Sequence, residues 1–220
     1  MGKLMEIITS LHKKTERNYL ARMIDDKVEC MKVAKEYGKE FWDGDRKYGY
    51  GGYHYDGRQK RISDGLIKAY NLEKDAKILD VGCGKGYLIY ELQEAVPTKN
   101  VSGFDISSYA LENCKEEIKS KIFRHEAQTK YPFKDKEFDL AISITTLHNL
   151  PISDLKSALQ EIERVGKEKY VAVESFRNDK ELFNLQCWAL TCNSFFGPDE
   201  WKWIFNEFGY TGDYEFIYFE

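Results

Sequence analysis

A chain of 220 residues, 42% hydrophobic and 32% charged, suits one domain that buries its own core. Its formal net charge of −4 argues against a broad cationic face able to track a nucleic-acid backbone. The five cysteines (Cys30, Cys83, Cys114, Cys187 and Cys192) are odd in number and form no C-x-x-C pair, which speaks for reduced thiols rather than a disulfide framework or zinc site.

Along the chain, residues 3–39 are expected to be helical, with Leu4, Ile7, Ile8, Leu11, Leu20, Met23, Ile24, Val28 and Met31 at roughly helical spacing. Gly38 is placed to end that region as a C-cap. The block FWDGDRKYGYGGYHYDGRQKR (41–61) is dense in Gly and Tyr and predicts an ordered but irregular loop. A short helix over about 62–70 leads into an alternation of strands and helices. The strands are KILDVG (77–82), VSGFDI (101–106), KIFRHE (121–126), FDLAISI (138–144), KYVAVES (169–175) and DYEFIYFE (213–220). Helices are expected at about 86–95, from Ser107 or Ser108 to 119, at 153–165, 179–193 and 198–208, with Cys187 and Cys192 loosely on one face of the fourth. Strands alternating with helices imply an α/β fold with a mostly parallel sheet and helices on both faces. The N-terminus MGKLMEIITSLHKK lacks a signal peptide's apolar stretch, and no run approaches the ~18 apolar residues of a membrane span. A cytoplasmic protein is the expectation.

Asp80-Val81-Gly82-Cys83-Gly84-Lys85-Gly86 follows a strand and opens a helix. Glycines there let the backbone turn tightly and let a ligand approach where a Cβ would collide. Asp105 ends the second strand, where an acid can accept hydrogen bonds from both ribose hydroxyls of a nucleoside. The spacing is G-x-G-x-G, not the G-x-G-x-x-G of a dinucleotide site. An acid two residues before the first glycine would repel a pyrophosphate but suit a ligand bearing an ammonium and a sulfonium.

ILDVGCGKG, GFDIS and YPFKDKEFDLAISITTLHNL resemble, in order and spacing, the motifs of class I S-adenosylmethionine (SAM)-dependent methyltransferases over about residues 76–175. The resemblance implies a Rossmann-like sheet of six or seven strands. It divides the chain into an N-terminal helical, Tyr/Gly-rich lid and acceptor segment (1–61) and a SAM-binding core (62–220). It also implies that Gly82, Cys83, Gly84 and Gly86 line the methionyl part of SAM with Asp80 near its amino group. Asp105 would hold the ribose, Ile106 would pack on the adenine, and Glu126 with Ala127 would meet its amino group. Ile144 and Thr145 would border the sulfonium. The family's usual closing hairpin has no room here, since one clear strand follows the last helix.

Methyl transfer from a sulfonium is an in-line displacement that needs positioning above all. A hydroxyl acceptor also needs a base, for which His148 in TTLHNL is the first candidate, with Glu174 beside it as an orienting or structural group. Tyr50, Tyr53, His54, Tyr55 and Arg58 are the expected acceptor-binding residues, because aromatic faces with polar handles suit sugar rings. The basic N-terminal residues Lys13, Lys14, Arg17 and Arg22 read as a solvated face. The 41–61 block further resembles a segment of small methyltransferases from bacterial surface-polysaccharide (capsule or lipopolysaccharide) gene clusters, which implies O-methylation of a sugar, sugar phosphate, nucleotide sugar or phosphoryl group. N- or C-methylation of another metabolite, a SAM-binding protein without catalysis, and a nicotinamide-dependent oxidoreductase remain alternatives. No metal, nucleic-acid or membrane partner is expected.

Overall fold

The computed structural model describes residues 2–12, 17–96 and 100–220. Its six strands are β1 (Ile78–Val81), β2 (Val101–Asp105), β3 (Ile122–Arg124), β4 (Phe138–Ile144), β5 (Gly166–Ser175) and β6 (Asp213–Tyr218). They form one sheet of order β3-β2-β1-β4-β5-β6 in which every neighbouring pair is parallel. The strand after the last helix therefore joins β5 in parallel and supplies the sheet's sixth strand. Strand order reverses between β1 and β4, and at such a reversal the loops leaving the carboxyl ends part and open a crevice. Those loops here are the glycine turn after β1 and Thr145–Leu150 after β4.

Ten helices accompany the sheet among the described residues: α1 (Thr9–His12), α2 (Tyr19–Ile24), α3 (Lys27–Lys35), α4 (Lys39–Asp43), α5 (Lys60–Tyr70), α6 (Tyr87–Ala95), α7 (Ser108–Glu112), α8 (Ile152–Val165), α9 (Asp179–Trp188) and α10 (Pro198–Glu207). The apolar faces of α8 and α10 (Leu155, Leu159, Ile162, Trp201, Phe205) close one side of the sheet. Those of α5, α6 and α9 (Leu66, Ile89, Leu92, Leu185), joined by Ile7 and Ile8, close the other. Coverage on both faces accounts for the near-continuous burial along β1 and β4.

The start of the N-terminal region departs from the helical structure expected over 3–39. Lys3–Met5 instead runs parallel to β6, with Tyr214 N–H donating to Lys3 O at 3.0 Å and Met5 N–H to Tyr214 O at 2.8 Å. An edge strand carries unpaired backbone groups, and satisfying them outweighs helical periodicity over three residues. The buried Glu215 of β6 then receives the N–H groups of Ile7, Ile8 and Thr9 at 2.6, 2.9 and 2.6 Å, the Thr9 hydroxyl at 2.7 Å and the Tyr170 hydroxyl at 2.5 Å. One carboxylate thus fastens the N-terminus to the sheet. Gly38 is the N-cap of α4 and not a C-cap, because α3 stops earlier, at Lys35, and Tyr37 turns the chain with φ +48°. Lys13 and Lys14 lie outside the described residues. Arg22, expected on a solvated face, is buried.

Two later helices are shorter than expected. After α7 the chain straightens at Lys115 and makes a 3₁₀ turn over Glu116–Lys121 that drives Ile118 into the core. α9 ends at Trp188 because its last carbonyls find side-chain donors: Lys27 Nζ reaches Cys187 O and Ala189 O at 2.7 Å each, and Arg22 Nε reaches Trp188 O at 3.4 Å. Cys192 consequently lies beyond the helix that carries Cys187. Within 41–61, α4 and a 3₁₀ turn at Arg46–Tyr48 precede a stretch without regular structure.

Candidate active site

Gly82, Gly84 and Gly86 all have positive φ (+79°, +56° and +68°), a conformation that L side chains rarely adopt. A Cβ on Gly84 would lie 2.8 Å from the Trp42 ring, and one on Gly82 would strike the Thr146 hydroxyl that leaves β4. Thr146 Oγ1 also donates to Gly82 O at 3.3 Å, so the two loops of the crevice are tied together. Asp105 stands at the end of β2 with one carboxylate oxygen accepting Gly84 N–H at 2.7 Å and the other accepting Ser107 N–H at 2.8 Å. Asp80 is buried, and among the described contacts its carboxylate meets no cation and no hydrogen-bond donor. Burial, and secondarily the charge of Asp105, push its pKa up to about 7. An orphaned acid, a second acid at the ribose position and a turn that tolerates no Cβ together fit the ammonium and ribose of SAM.

The 41–61 block lies directly on this turn. Trp42 packs against Gly84, donates Nε1–H to Ser107 Oγ at 2.9 Å and stacks on Tyr50 with ring centres 5.2 Å apart. Tyr50 meets Tyr53 at 4.6 Å, and Tyr53 stacks on Tyr87 at 5.3 Å. Lys85, from inside the glycine turn, is buried and places Nζ 2.7 Å from Asp43 Oδ2 and 2.9 Å from Tyr53 O. The Tyr109 hydroxyl donates to Asp43 at 2.9 Å. These contacts draw Asp43 below the usual carboxylate range against the opposing effect of its burial.

His148 is buried in the 3₁₀ turn (Leu147–Asn149) after β4. Glu174 N–H donates to its Nδ1 at 3.3 Å, which leaves the ring proton on Nε2, 3.4 Å from Glu174 Oε2. Burial lowers the imidazole pKa despite the adjacent carboxylate, so the ring is neutral at pH 7. Nδ1, the basic nitrogen of that tautomer, is thus engaged. Among the described contacts Glu174 Oε1 receives no donor, and the charges of Glu174 and Asp105 help, after burial, to raise the pKa of the Tyr50 phenol that stands between them.

The other expected residues divide. Tyr50 and Tyr53 converge on the glycine turn, whereas Tyr55 turns to α6, donating to Glu91 at 2.7 Å with Lys115 Nζ 4.3 Å from its ring. Arg58 is exposed and paired with Asp56, and His54 is exposed beside Gly52. Ile106 is 41% exposed past β2. Glu126 is exposed past β3 and accepts from Gln128 at 3.0 Å, while Ala127 packs on the core. Cys83 sits beside Asp80 and Asp105, and burial raises its thiol pKa. Ile144 is half-buried, and Thr145 turns the chain with φ +55°. Trp42, Asp43, Lys85, Tyr109 and Thr146 escaped the sequence reading. A lysine enclosed by three glycines and an aspartate in the block that covers them were the available signals.

A six-stranded parallel sheet with this glycine turn at its switch point defines a Rossmann-like class I methyltransferase. The chain matches the methyltransferase domain over residues 72–209 and belongs to that family. Its cofactor is SAM. It is 31% identical over 128 residues to the mitochondrial arginine-hydroxylase NDUFAF5 of Mus musculus, covering 58% of this chain and 36% of that one. It is 34% identical over 117 residues to the demethylmenaquinone methyltransferase of Anoxybacillus flavithermus, covering 50% and 48%. The chain thus spans about a third to a half of the length of these relatives. A chain from the complex of the Haloferax volcanii Trm112 methyltransferase activator with its methyltransferase superposes with a TM-score of 0.55 at 21% identity, over 70% of this chain and 73% of that one. No helix among the described residues is long and apolar enough to cross a membrane.

Asp80 gives SAM binding a pH dependence. A free-protein pKa of about 7 means that below pH 7 the acid must lose a proton before it can meet an ammonium. Affinity is therefore expected to fall about tenfold from pH 8 to pH 6, with proton release on binding. Calorimetry in buffers of different ionisation enthalpy measures both, and an affinity flat across this range would remove Asp80 from the ammonium site.

Proposed function

We propose that the chain methylates a hydroxyl oxygen of a small polar metabolite, of the sugar, sugar phosphate or nucleotide-sugar kind used in surface-glycan synthesis. The observation that carries this is Glu174, whose carboxylate lies 3.4 Å from His148 Nε2, accepts no hydrogen bond among the described contacts and acts electrostatically on Tyr50. Bound SAM supplies an electrophilic methyl carbon on a sulfur that leaves as a neutral thioether. Gly82, Cys83, Gly84 and Gly86 would line its methionyl part with Asp80 at the ammonium, and Asp105 would hold the ribose. Ile106, Glu126 and Ala127 would border the adenine, and Ile144 with Thr145 the reacting carbon. Glu174 takes the hydroxyl proton as the new bond forms, while neutral His148 accepts the Glu174 backbone N–H and so fixes the residue beside it. The lid segment 1–61 presents Tyr50 and Tyr53 to the acceptor, and ring-on-sugar packing suits those aromatic faces.

The relatives' names pair this domain with a hydroxylation of arginine and with a quinone substrate, so the acceptor is not inherited from them. Incubation with methyl-labelled SAM and a panel of sugars, sugar phosphates and nucleotide sugars is expected to yield an alkali-stable labelled ether. Label appearing only on nitrogen or carbon acceptors would overturn the proposal.

A further inference from the structure

Trp188, at the end of α9, collects three guanidinium groups: Arg46, Arg22 and Arg17 lie 4.8, 4.9 and 5.4 Å from its ring centre. Arg22 is 8% exposed, and its acceptors among the described contacts are all carbonyl oxygens, those of Trp188, Arg46 and Gly49. Lys27 adds a fourth positive charge on the neighbouring carbonyls. Among the described contacts no carboxylate pairs with Arg22, Arg46 or Lys27. Capping of α9 accounts for Arg22 and Lys27, which meet its last carbonyls. It does not account for Arg46, which comes from the lid and meets none of them.

Arg46 is nonetheless held. Its Nη1 donates to Gly49 O, and its stem lies under Gly51, where a Cβ would sit 2.7 Å from Arg46 Cδ. Gly51 has φ +69°, so this glycine lets the lid fold onto the arginine. Among the described contacts Nε and Nη2 of Arg46 keep their N–H groups unspent. Holding like charges together against one indole is unfavourable unless something negative joins them. Burial and mutual repulsion lower the pKa of Arg22 to about 10 and, with burial again foremost, that of Lys27 to about 8. The group adjoins the reaction rim: Tyr50 acts electrostatically on Arg46, and Arg17 feels both Arg46 and Glu174.

We propose that Arg46, backed by Arg22 on the face of Trp188, is an oxyanion-binding subsite that seats a phosphate or carboxylate of the acceptor while its hydroxyl lies at Glu174. A planar guanidinium with two open donor positions matches such a group in bidentate fashion. This rests on hydroxyl transfer at the rim, but its test does not. Equilibrium dialysis of the full chain with radiolabelled inorganic phosphate is expected to show binding that Arg46→Gln weakens at least tenfold. SAM affinity, measured on the same samples, should be unchanged in this exposed variant and so certify its fold. Displacement by acetate at equal concentration assigns the subsite to carboxylates, and resistance to acetate assigns it to phosphoryl groups. Equal phosphate binding by wild type and Arg46→Gln, or none by wild type, overturns the subsite while leaving hydroxyl transfer standing. Arg46-dependent binding in a protein that methylates no hydroxyl would do the reverse.

Discussion

Asp105→Ala is expected to abolish measurable SAM binding, a loss of at least a hundredfold in calorimetry. The wild-type carboxylate is 8% exposed and faces the glycine turn through Gly84 N–H and the start of α7 through Ser107 N–H. Alanine removes the acceptor that two ribose hydroxyls would use. Each hydrogen bond to a charged group contributes about 1.5–3 kcal/mol, so two of them correspond to some two to four powers of ten. Alanine also leaves two backbone donors without their partner, a cost of about 1–3 kcal/mol each in the fold. Asp105→Asn separates the effects, because the amide oxygen can retain one backbone donor while the ionic acceptor is gone. Expected for Asn is a nearly wild-type melting temperature with binding still reduced at least tenfold. Wild-type affinity in either variant would take the ribose away from Asp105.

Glu174→Gln is expected to lower kcat by about 10²–10⁴, the range for a positioned general base, with SAM affinity unchanged. The sequence places His148 first as the base, but in the structure its basic Nδ1 is occupied by Glu174 N–H, and its Nε2 lies 3.4 Å from the Glu174 carboxylate. A neutral imidazole so engaged serves best to orient. His148→Gln should accordingly cost less in kcat than Glu174→Gln. A larger loss for His148→Gln, with Glu174→Gln near wild type, would return the base to the histidine. Acid pH gives an independent check on its burial. A histidine whose folded pKa lies below its unfolded value makes the unfolded state bind more protons in that window, so its contribution to stability drops as pH falls below about 6.5.

What the sequence discloses follows from how locally each feature is encoded. The glycine turn is legible because three residues at positive φ must be written as glycine in one short string. The strands β1, β4 and β5 are legible because two-sided burial concentrates apolar residues on adjacent positions, as in LAISI and YVAV. The N-terminal segment misleads, since its apolar spacing is helical while its first residues answer the edge of β6, more than 200 positions away. Glu215 reads as an ordinary acid in a terminal strand, yet it fastens that segment through four hydrogen bonds and accepts a fifth from Tyr170 of β5. The Lys85–Asp43 pair and the gathering of Arg22 and Arg46 at Trp188 likewise join residues from separate elements. No local pattern announces them.

Arg46 joins the 41–61 block to the core. In sequence it is one of several basic residues flanking the tyrosines, and Arg58 is the one expected to bind the acceptor. Arg58 spends itself on Asp56 in solvent, whereas Arg46 is pinned to the core by Trp188 and Gly49.

Calorimetric titration of the wild-type chain with SAM at pH 8, beside a matched titration with NAD, tests most directly whether the turn after β1 is built for a cationic amino-acid nucleoside. One SAM per chain should bind, with no heat from the dinucleotide. Saturable binding of NAD, with SAM inert, would contradict it.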